Sequence, residues 1–341
     1  SGNKMDKTNY KKLNILVTGS AGFIGATFCD EVLKLNHKVL GIDNYLNSLK
    51  LSTDNLKLHH KNNFSFLELD LAESNNVLLQ ELELFKPDLV VHFAALKSVG
   101  AGESDPDLYW KNNLDSTINL LHAAKESGCT KIIFSSSAAV YSKHNSQPVS
   151  ESSDLGAESV YGETKVACEN IIKDFCEKNI MDAVIFRYFN VSGCHKNKLF
   201  FENNKNSENL MTNLIDVAKG NSNELAIFGD NYNTKDGTAT RDYIHIEDLL
   251  DAHIKIIDLL KDIKGCEIFN LGSGEETSVL QLLKIFEQSN GVKIDYKISN
   301  PRPGDLPTSF SNPFKFNIFS NWKTRKNLKD ICKDSWDSNK D

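Results

Sequence analysis

Tyr161 and Lys165 are the residues of this sequence whose types and spacing best suit acid–base chemistry. On a helix, residues four apart lie on one face, so the lysine ammonium would lie near the phenol oxygen. The pKa of a tyrosine is about 10, and a cation close by lowers it. Such a tyrosine could take a proton from a substrate hydroxyl near neutral pH. A solvated helix face carries the same pair by chance, so other residues must decide.

Three consecutive serines, Ser135, Ser136 and Ser137, follow an apolar run at 131–134 that predicts a buried strand. Residues at the carboxyl end of a strand in an α/β sheet face the ligand crevice. A serine there could hydrogen-bond a substrate hydroxyl and relay its proton to Tyr161. The alternative is that the three hydroxyls only satisfy backbone groups at the strand end.

A glycine loop, with Gly19, Gly22 and Gly25 at every third position, separates the apolar run 13–18 from a helical pattern. The glycines permit a tight turn and a close approach of the backbone to a pyrophosphate, which the N–H groups of the new helix would bind. The spacing differs by one residue from the commoner Gly-x-Gly-x-x-Gly, and a lone loop of this kind is as often a packing turn.

An acidic residue, Asp43, ends the second predicted strand, 38–43. It follows the glycine loop by about 20 residues, where a carboxylate would hold the adenosine ribose hydroxyls of a dinucleotide. No arginine follows it to bind a 2′-phosphate. Loop and acid together therefore predict a dinucleotide site that prefers NAD to NADP.

Short apolar runs alternate with helical patterns through the first 190 residues, which predicts an α/β protein with a doubly wound parallel sheet. His92 lies inside an apolar run and is predicted to be a core histidine rather than a catalytic one. The remaining chain is less regular and predicts a smaller second lobe. The predicted strands are 13–18, 38–43, 64–69, 88–93, 131–134 and 182–188, and the main predicted helices are 107–126, 161–178, 210–219, 247–260 and 279–288.

Composition and charge exclude several classes of protein. The 341 residues are 40% hydrophobic and 25% charged, and the formal net charge of −7 argues against a nucleic-acid or membrane-surface binder. Seven scattered cysteines without a Cys-x-x-Cys pair predict reduced thiols, no metal site and a cytoplasmic location. No apolar run is long enough to span a membrane. The polar stretch 1–12 contains no signal-peptide pattern, and its Ser-Gly start is interpreted as a tag scar.

Taken together, these motifs resemble the extended short-chain dehydrogenase/reductase family, most closely its UDP-hexose 4-epimerases. The resemblance covers about residues 13 to 336. It implies a Rossmann-like NAD-binding domain at 13–190 plus about 236–262, and a UDP-sugar-binding lobe at 191–235 and 263–341. The matching motifs are the glycine loop, Asp43-Asn44, Phe93-Ala-Ala-Leu-Lys97, Ser135-Ser-Ser-Ala138, Tyr161-x-x-x-Lys165, Arg187-Tyr-Phe-Asn190, Thr240-Arg-Asp-Tyr-Ile-His245, Asn270-Leu-Gly-Ser-Gly274 and Pro301-Arg-Pro-Gly-Asp-Leu-Pro307.

The resemblance implies an isomerase that interconverts UDP-glucose and UDP-galactose by oxidising C4 and returning the hydride. Ser137, Tyr161 and Lys165 would be the catalytic residues. The NAD contacts it implies are Gly19, Gly22, Phe23, Ile24, Gly25, Asp43, Asn44, Asn47, Ser48, Asp70, Leu71, Phe93, Ala94, Ala95, Lys97, Asn112, Tyr161, Lys165 and Phe189.

A second set of residues would hold the UDP-hexose. Arginines suit a pyrophosphate, although Arg241 beside Asp242 could instead form a surface ion pair. His245 is expected to be structural. The implied substrate contacts are Ser137, Tyr161, Asn190, Asn209, Leu210, Ala226, Ile227, Phe228, Arg241, Arg302, Asp305 and Ser309.

Ser309 bears on the choice of substrate. In the family, the matching position lies beside the sugar's 2-substituent, and a small side chain there resembles enzymes that also accept UDP-GlcNAc and UDP-GalNAc. The alternative is that Ser309 is an ordinary loop residue, or that Phe310 occupies this position instead.

Two other functions stay open at this stage. A nucleotide-sugar 4,6-dehydratase needs an acidic pair where this chain has Ala138-Ala139, which argues against it. A non-catalytic NAD or UDP-sugar sensor has no use for the Ser-Tyr-Lys set. A homodimer formed through the helices at 107–126 and 161–178 is expected from the resemblance alone.

Overall fold

The structure is a computed structural model that describes residues 11–73, 76–202 and 208–340. The predicted polar tail 1–12 therefore lies almost wholly outside the described residues. The strands are β1 (Asn14–Thr18), β2 (Lys38–Asp43), β3 (Phe64–Glu68), β4 (Leu89–His92), β5 (Lys131–Ser137), β6 (Asp182–Tyr188), β7 (Asn190–Ser192), β8 (Leu225–Phe228), β9 (Thr240–Arg241), β10 (Tyr243–His245), β11 (Cys266–Leu271), β12 (Thr277–Ser278) and β13 (Tyr296–Ser299).

Helices connect most of these strands. A π-helical segment, Trp110–Asp115, and two 3₁₀ turns, Ala138–Val140 and Leu260–Asp262, complete the regular structure of the described residues. The α-helices are α1 (Phe23–Lys34), α2 (Lys50–His59), α3 (Asn76–Phe85), α4 (Val99–Ser104), α5 (Pro106–Tyr109), α6 (Ser116–Glu126), α7 (Val160–Glu177), α8 (Leu210–Ala218), α9 (Ile246–Leu259), α10 (Val279–Asn290), α11 (Phe314–Ser320) and α12 (Leu328–Asn339).

One seven-stranded parallel sheet dominates the molecule, in the order β3-β2-β1-β4-β5-β6-β11. The chain builds outward from β1 to β3 and then crosses back to β4, so the order reverses between β1 and β4. The loops after these two strands part at the carboxyl edge and leave a crevice, where ligands bind in sheets of this kind. The predicted Rossmann-like class is confirmed.

The strands of this sheet supply two cores on opposite faces. In β1, Ile15 and Val17 pack in a cluster with Ala26 of α1, whereas Leu16 packs in the other cluster with Leu120 of α6. Successive side chains of a strand point to opposite faces. A strand covered on both faces therefore requires a continuous apolar run, which is the pattern seen in the sequence.

Two elements near the predicted catalytic residues differ from expectation. The strand predicted at 131–134 extends to Ser137, because Ser135 and Ser136 pair in register with Phe186 and Arg187 of β6. The predicted helix 107–126 is divided into α5, the π-helical segment and α6. The three serines are thus strand residues, and their alternation decides which of them face the helices.

One strand bears on the predicted boundary of the second lobe, which stays a prediction. Strand β11 falls within the predicted segment 263–341, yet it pairs along its whole length with β6 of the main sheet. Helix α11 packs against the main sheet as well, because Phe316 lies in the same core as Val17. The sequence of a six-residue strand does not reveal which sheet the strand will join, because register and partner are set by tertiary packing.

A smaller core lies under the predicted substrate segments. Helices α8, α10 and α12 pack around the two-stranded parallel sheet of β8 and β13. Buried members of this core include Leu214, Leu225, Phe286 and Ile331. In the part of the chain that the structure describes, no helix is both long and apolar enough to cross a membrane.

Candidate active site

The glycine loop meets the start of α1 with a geometry that suits a phosphate. Gly19 has a φ of +69°, and a Cβ there would lie 2.8 Å from the backbone nitrogen of Ala94. A Cβ on Gly25 would lie 2.1 Å from the Gly19 carbonyl oxygen. Helix α1 has no side-chain cap at Gly22 and no acidic residue in its first turn. Its first N–H groups therefore favour an anion at this point.

Asp43 ties the glycine loop to the polar loop after β2. Its carboxylate accepts hydrogen bonds from the backbone of Ala21 at 3.0 Å and Tyr45 at 2.8 Å, and from the Ser48 hydroxyl at 2.9 Å. The side chain is only 8% exposed. The sequence prediction of a carboxylate beside the phosphate loop is consistent with this position.

An open cavity of about 420 Å³ lies next to Asp43, at the carboxyl ends of β2 and β3. It falls within the size range of small-molecule and cofactor sites. Three residues predicted to contact NAD, Asn44, Asp70 and Asn112, line it. A fourth, Leu71, is buried in the core next to it.

Buried polar residues hold the loop after β4. The imidazole of His92 lies between the hydroxyls of Thr18 at 2.6 Å and Thr117 at 2.9 Å. Burial, with the nearby Lys165 cation, lowers the pKa of His92 to about 3, so it is a neutral core histidine as predicted. Asn113, which the sequence analysis did not single out, bonds both backbone groups of Leu96. The family resemblance had implied its neighbour, Asn112, as a contact of NAD.

The predicted catalytic residues come together where α7 begins beside the end of β5. Ser159 caps α7 by accepting a hydrogen bond from Gly162 at 3.1 Å. A Cβ on Gly162 would lie 2.5 Å from the carbonyl oxygen of Ala139. Only glycine permits this close approach, which brings Tyr161 to the hydroxyl of Ser137.

Lys165 is buried one helical turn beyond Tyr161. Its ammonium donates to the carbonyl oxygen of Ser135 at 2.7 Å and lies 4.8 Å from the ring centre of Phe134. It lies 5.9 Å from the centre of the Tyr161 ring. The ammonium is therefore anchored to β5 and faces the side of the phenol.

The electrostatics of this pair differ from the sequence prediction. Burial raises the pKa of Tyr161 to about 12, and the hydrogen bond with Ser137 offsets only part of that rise. Burial also lowers the pKa of Lys165 to about 8. Without a bound cofactor, desolvation therefore dominates the pKa of Tyr161, and the role of Tyr161 as a base near neutral pH stays a prediction.

On the substrate side, Arg241 turns away from its neighbour Asp242. Its guanidinium donates to the carbonyl oxygens of Thr240 at 2.6 Å and Leu306 at 2.9 Å. Burial lowers its pKa. The alternative of an Arg241–Asp242 surface ion pair is wrong, and a desolvated guanidinium favours an anionic ligand.

Arg302, Asp305 and Phe228 form a second cluster of predicted substrate residues. The guanidinium of Arg302 donates to the Asp305 carboxylate at 2.7 Å and lies 4.8 Å from the centre of the Phe228 ring. Phe228 is 37% exposed although it is a large apolar side chain. An exposed aromatic face beside a guanidinium is suited to stacking on a planar base.

Asp242 was missed by the sequence analysis and organises the substrate segments. Its buried carboxylate accepts from the backbone and hydroxyl of Ser273 at 2.7 and 2.8 Å and from the backbone of Gly274 at 3.1 Å. It also accepts from the backbone and hydroxyl of Ser311 at 3.0 and 2.5 Å. The carboxylate thus joins two loops that are far apart in sequence.

The remaining predicted substrate residues occupy different environments. Asn209 caps α8 through the backbone N–H of Met211, and Asn190 begins β7. In β8, Ala226 is exposed with Phe228, whereas Ile227 is 1% exposed and packs in the smaller core. Alternation along the strand means that Ile227 could reach a ligand only through its backbone.

Ser309 is half-buried in the loop that Asp242 anchors. Its backbone N–H donates to the carbonyl oxygen of Thr240 at 3.1 Å. The next residue, Phe310, is held at both backbone groups, by the side chain of Gln147 and the backbone of Val149. The loop position is therefore fixed on both sides of the predicted sugar contact.

His245 is structural, as expected. One ring nitrogen accepts from the backbone of Glu247, and the other lies 2.8 Å from the Asp334 carboxylate. The ammonium of Lys326 lies 3.4 Å from Glu247 and 3.9 Å from Asp334. These acidic groups are thus already paired with a cation from the chain.

The sheet, the glycine loop and the Ser-Tyr-Lys arrangement define a dinucleotide-dependent enzyme of the Rossmann type. A family model described as the NAD dependent epimerase/dehydratase family matches residues 15–272. The chain belongs to this family, as the sequence analysis predicted.

Similar proteins carry consistent names. The UDP-glucose 4-epimerase of Bacillus subtilis is 37% identical over 94% of this chain and 95% of its own length. The crystal structure of UDP-glucose-4-epimerase from Stenotrophomonas maltophila, with bound NAD and formylated UDP-arabinopyranose, has a TM-score of 0.91 and 34% identity, covering 96% of this chain and 98% of that one. The UDP-Glc/GlcNAc 4-epimerase of Campylobacter jejuni has a TM-score of 0.83 and 32% identity, covering 96% and 99%.

Proposed function

We propose that this protein is an NAD-dependent isomerase that interconverts UDP-glucose and UDP-galactose at C4. The observation that carries the proposal is the meeting of Ser137 and Tyr161 at the end of β5, with Lys165 buried behind them. The relatives named above are UDP-glucose 4-epimerases that match nearly the whole chain.

The cofactor is NAD, and the residues of the nucleotide site fit it. The uncapped start of α1 would bind the pyrophosphate, and Asp43 would hold the adenosine ribose. The cavity lined by Asn44 and Asp70 would take the adenine end. When bound, NAD accepts the hydride from C4 and returns it, and its ring carries a positive charge in the oxidised state.

Tyr161 is the proposed acid–base group. As a phenolate, Tyr161 would receive the proton of the sugar 4-hydroxyl, directly or through the hydroxyl of Ser137, and become a neutral phenol that gives a proton back when the hydride returns. Lys165 would keep a positive charge beside the phenol, and its bond to Ser135 fixes the ammonium during turnover. Because burial holds the pKa of Tyr161 high, further positive charge near the phenol would be needed for it to act as a base.

The UDP group would be bound on the opposite side of the site. Arg241 and Arg302 are the proposed partners of the pyrophosphate, because guanidinium groups bind phosphate oxygens with charge-assisted hydrogen bonds. The exposed ring of Phe228 and the edge of β8 would contact the uracil. Asn190 and Asn209, which the resemblance also implies, would contact the sugar and phosphate.

A second substrate class, UDP-GlcNAc and UDP-GalNAc, is favoured by Ser309. The side chain is small and half-buried in a loop whose backbone is fixed at Thr240. A serine leaves more space for a 2-acetamido group than an aromatic residue would. We therefore include epimerisation of the N-acetylated pair in the proposal.

The setting of the enzyme is also part of the proposal. All seven cysteines are free thiols, which agrees with a reducing compartment and a cytoplasmic location. A homodimer through the helices at 107–126 and 161–178 stays a prediction, and light scattering of the pure protein would measure it. A monomeric mass would contradict the dimer and leave the activity unaffected.

A substrate panel tests the proposed function. The protein is incubated with UDP-glucose, UDP-galactose, UDP-GlcNAc and UDP-GalNAc, and products are separated by chromatography and identified by mass spectrometry. Formation of the C4 epimer from UDP-galactose is the expected result. A 6-deoxy-4-keto product would indicate a dehydratase, and bound NAD without conversion of any sugar would indicate a sensor.

A further inference from the structure

A buried carboxylate that the proposed reaction does not use lies on the catalytic helix. Glu169 is 0% exposed and is one helical turn beyond Lys165 on α7. Its carboxylate accepts from the Ser136 hydroxyl at 2.5 Å. It also receives two bonds from the guanidinium of Arg187, at 3.1 and 2.6 Å. Paired charges so deeply buried are rare and require such partners.

The partners of Glu169 are the strand residues next to the catalytic groups. Ser136 lies between Ser135, whose carbonyl oxygen accepts from Lys165, and Ser137. Arg187 is the residue of β6 that pairs in register with Ser136. Glu169 therefore joins α7 to both strand ends at the level where the proton transfer would occur.

We propose that Glu169 is a positioning residue for the epimerase reaction. Its carboxylate fixes the distance between the end of β5, which carries Ser137, and the helix that carries Tyr161 and Lys165. It also places a negative charge one turn from Lys165, which favours the ammonium form of that lysine. The proposal rests on the proposed function, because it assigns a role within that reaction.

Arg187 extends the same arrangement toward the substrate loops. Its third nitrogen, Nη1, donates to the Tyr141 hydroxyl at 3.1 Å and to the backbone carbonyl of Glu151 at 3.2 Å. The Tyr141 hydroxyl in turn donates to the side chain of Asn270 at 2.5 Å. Asn270 donates to the carbonyl oxygen of Asn312, close to the loop anchored by Asp242. The ion pair thus lies at the junction of the catalytic and substrate segments.

The charges around Lys165 determine the sign of the expected pH effect. Burial and the Lys97 cation lower the pKa of Lys165, whereas Cys168 and Glu169 raise it, and the net pKa is about 8. Removing the charge of Glu169 therefore favours the neutral amine. The titratable and charged groups that face Lys165 or Glu169 are Tyr161, His92, Lys97, Cys168, Lys173, Arg187, Tyr141 and Cys266.

The test compares three variants of the full chain with bound NAD. Glu169→Gln keeps the shape and removes the charge, whereas Ser136→Ala removes only the link to β5. Glu177→Gln, at an exposed position of the same helix, is the matched control. The measurements are kcat and KM for UDP-galactose across the pH range, with circular dichroism and thermal unfolding to check the fold.

Glu169→Gln is expected to reduce kcat by about 10- to 100-fold, the scale of a small misplacement of reacting groups, with little change in KM. The alkaline limb of its kcat profile should move to lower pH. Ser136→Ala should also reduce kcat but leave the alkaline limb in place, and Glu177→Gln should match the wild type.

Two outcomes would overturn the proposal. A folded Glu169→Gln variant with kcat within about twofold of wild type and an unmoved alkaline limb would be one. If Glu169→Gln does not fold, the test rests on Ser136→Ala. An unchanged kcat in Ser136→Ala would then overturn the proposal, and a reduced kcat in that variant would support the positioning role. If the wild type itself converts no UDP-hexose, the proposed function fails, which is a different result from an active wild type with equally active variants.

Discussion

The catalytic residues and the substrate-binding residues are held by different kinds of structure. Tyr161 and Lys165 lie on an 18-residue helix packed on the seven-stranded sheet, with Ser137 on the adjoining strand. Arg302 and Ser309 lie in an irregular loop whose position depends on hydrogen bonds to Asp242 and Thr240. The first region is specified by regular elements, and the second depends on a few long-range contacts.

Burial distinguishes the catalytic residues from Arg302 and Phe228 on the substrate side. Lys165, Glu169 and Arg187 are each 3% exposed or less, so charge in the catalytic region is desolvated. On the substrate side, Arg302 is exposed and Phe228 is 37% exposed. A desolvated site strengthens the interactions that act on the reacting atoms. An accessible loop can vary its side chains without disturbing that chemistry, which is where discrimination between sugars is expected to lie.

The largest expected effect is the loss of the Tyr161 hydroxyl. Tyr161→Phe should reduce turnover of UDP-galactose by about 10² to 10⁴-fold, the usual scale for a lost acid–base group. Affinity for the sugar nucleotide should change little, because the substrate loops are intact. Steady-state kinetics and calorimetric binding measure the two effects, with Tyr296→Phe at an exposed position as control. Near-normal turnover would remove Tyr161 from the mechanism.

The next effect concerns the anchor of the substrate loops. Asp242→Asn replaces an acceptor of five hydrogen bonds by an amide that cannot accept all of them. We expect a loss of about 2–4 kcal/mol in the free energy of unfolding and a higher KM for UDP-galactose. Urea unfolding and kinetics test this, with the exposed Asp295→Asn as control. A stable variant with a lower kcat alone would contradict the separation of the two regions.

A smaller and more selective effect is expected at Ser309. Ser309→Tyr should reduce conversion of UDP-GlcNAc by about 10- to 200-fold, the range of steric discrimination in a pocket, and leave UDP-galactose conversion near its wild-type rate. Ser309→Ala keeps a small side chain and should retain both activities. If wild type converts UDP-galactose but neither N-acetylated sugar, the role given to Ser309 is wrong and the epimerase proposal stands.

The smallest effect concerns the stability cost of a buried cation. In the folded protein the pKa of Lys165 is about 8, below its ordinary value of 10.5. Between these two pKa values the unfolded chain binds more protons, so the free energy of unfolding rises with pH there, and the full penalty applies below pH 8. Lys165→Met should therefore stabilise the cofactor-free protein by about 1–3 kcal/mol at neutral pH.

Urea unfolding at neutral and alkaline pH measures this effect. The gain from Lys165→Met should shrink as the pH rises toward the ordinary lysine pKa. Lys178→Met, at the exposed residue that caps the carboxyl end of the same helix, should show no such pH dependence. A destabilised Lys165→Met variant at neutral pH would show that the bond to Ser135 outweighs the desolvation of the ammonium.

Local sequence patterns predicted every strand of the main sheet except β11. Apolar runs with helical segments between them predicted the parallel sheet, because strands covered on both faces need continuous apolar residues. The glycine loop was predictable because a Cβ at Gly19 would lie too close to the backbone of Ala94, and Asp43 was predictable from its place at the end of the second strand. The four-residue spacing of Tyr161 and Lys165 likewise predicted that both lie on one face of a helix.

Only the tertiary structure decided which distant segments meet. The pairing of β11 with β6, the five bonds of Asp242 and the bond between Glu169 and Ser136 join residues that no local periodicity relates. The same holds for the pKa of Tyr161. The sequence places a cation near the phenol, but the balance between that cation and desolvation depends on how deeply the fold buries both groups, and burial is a property of packing.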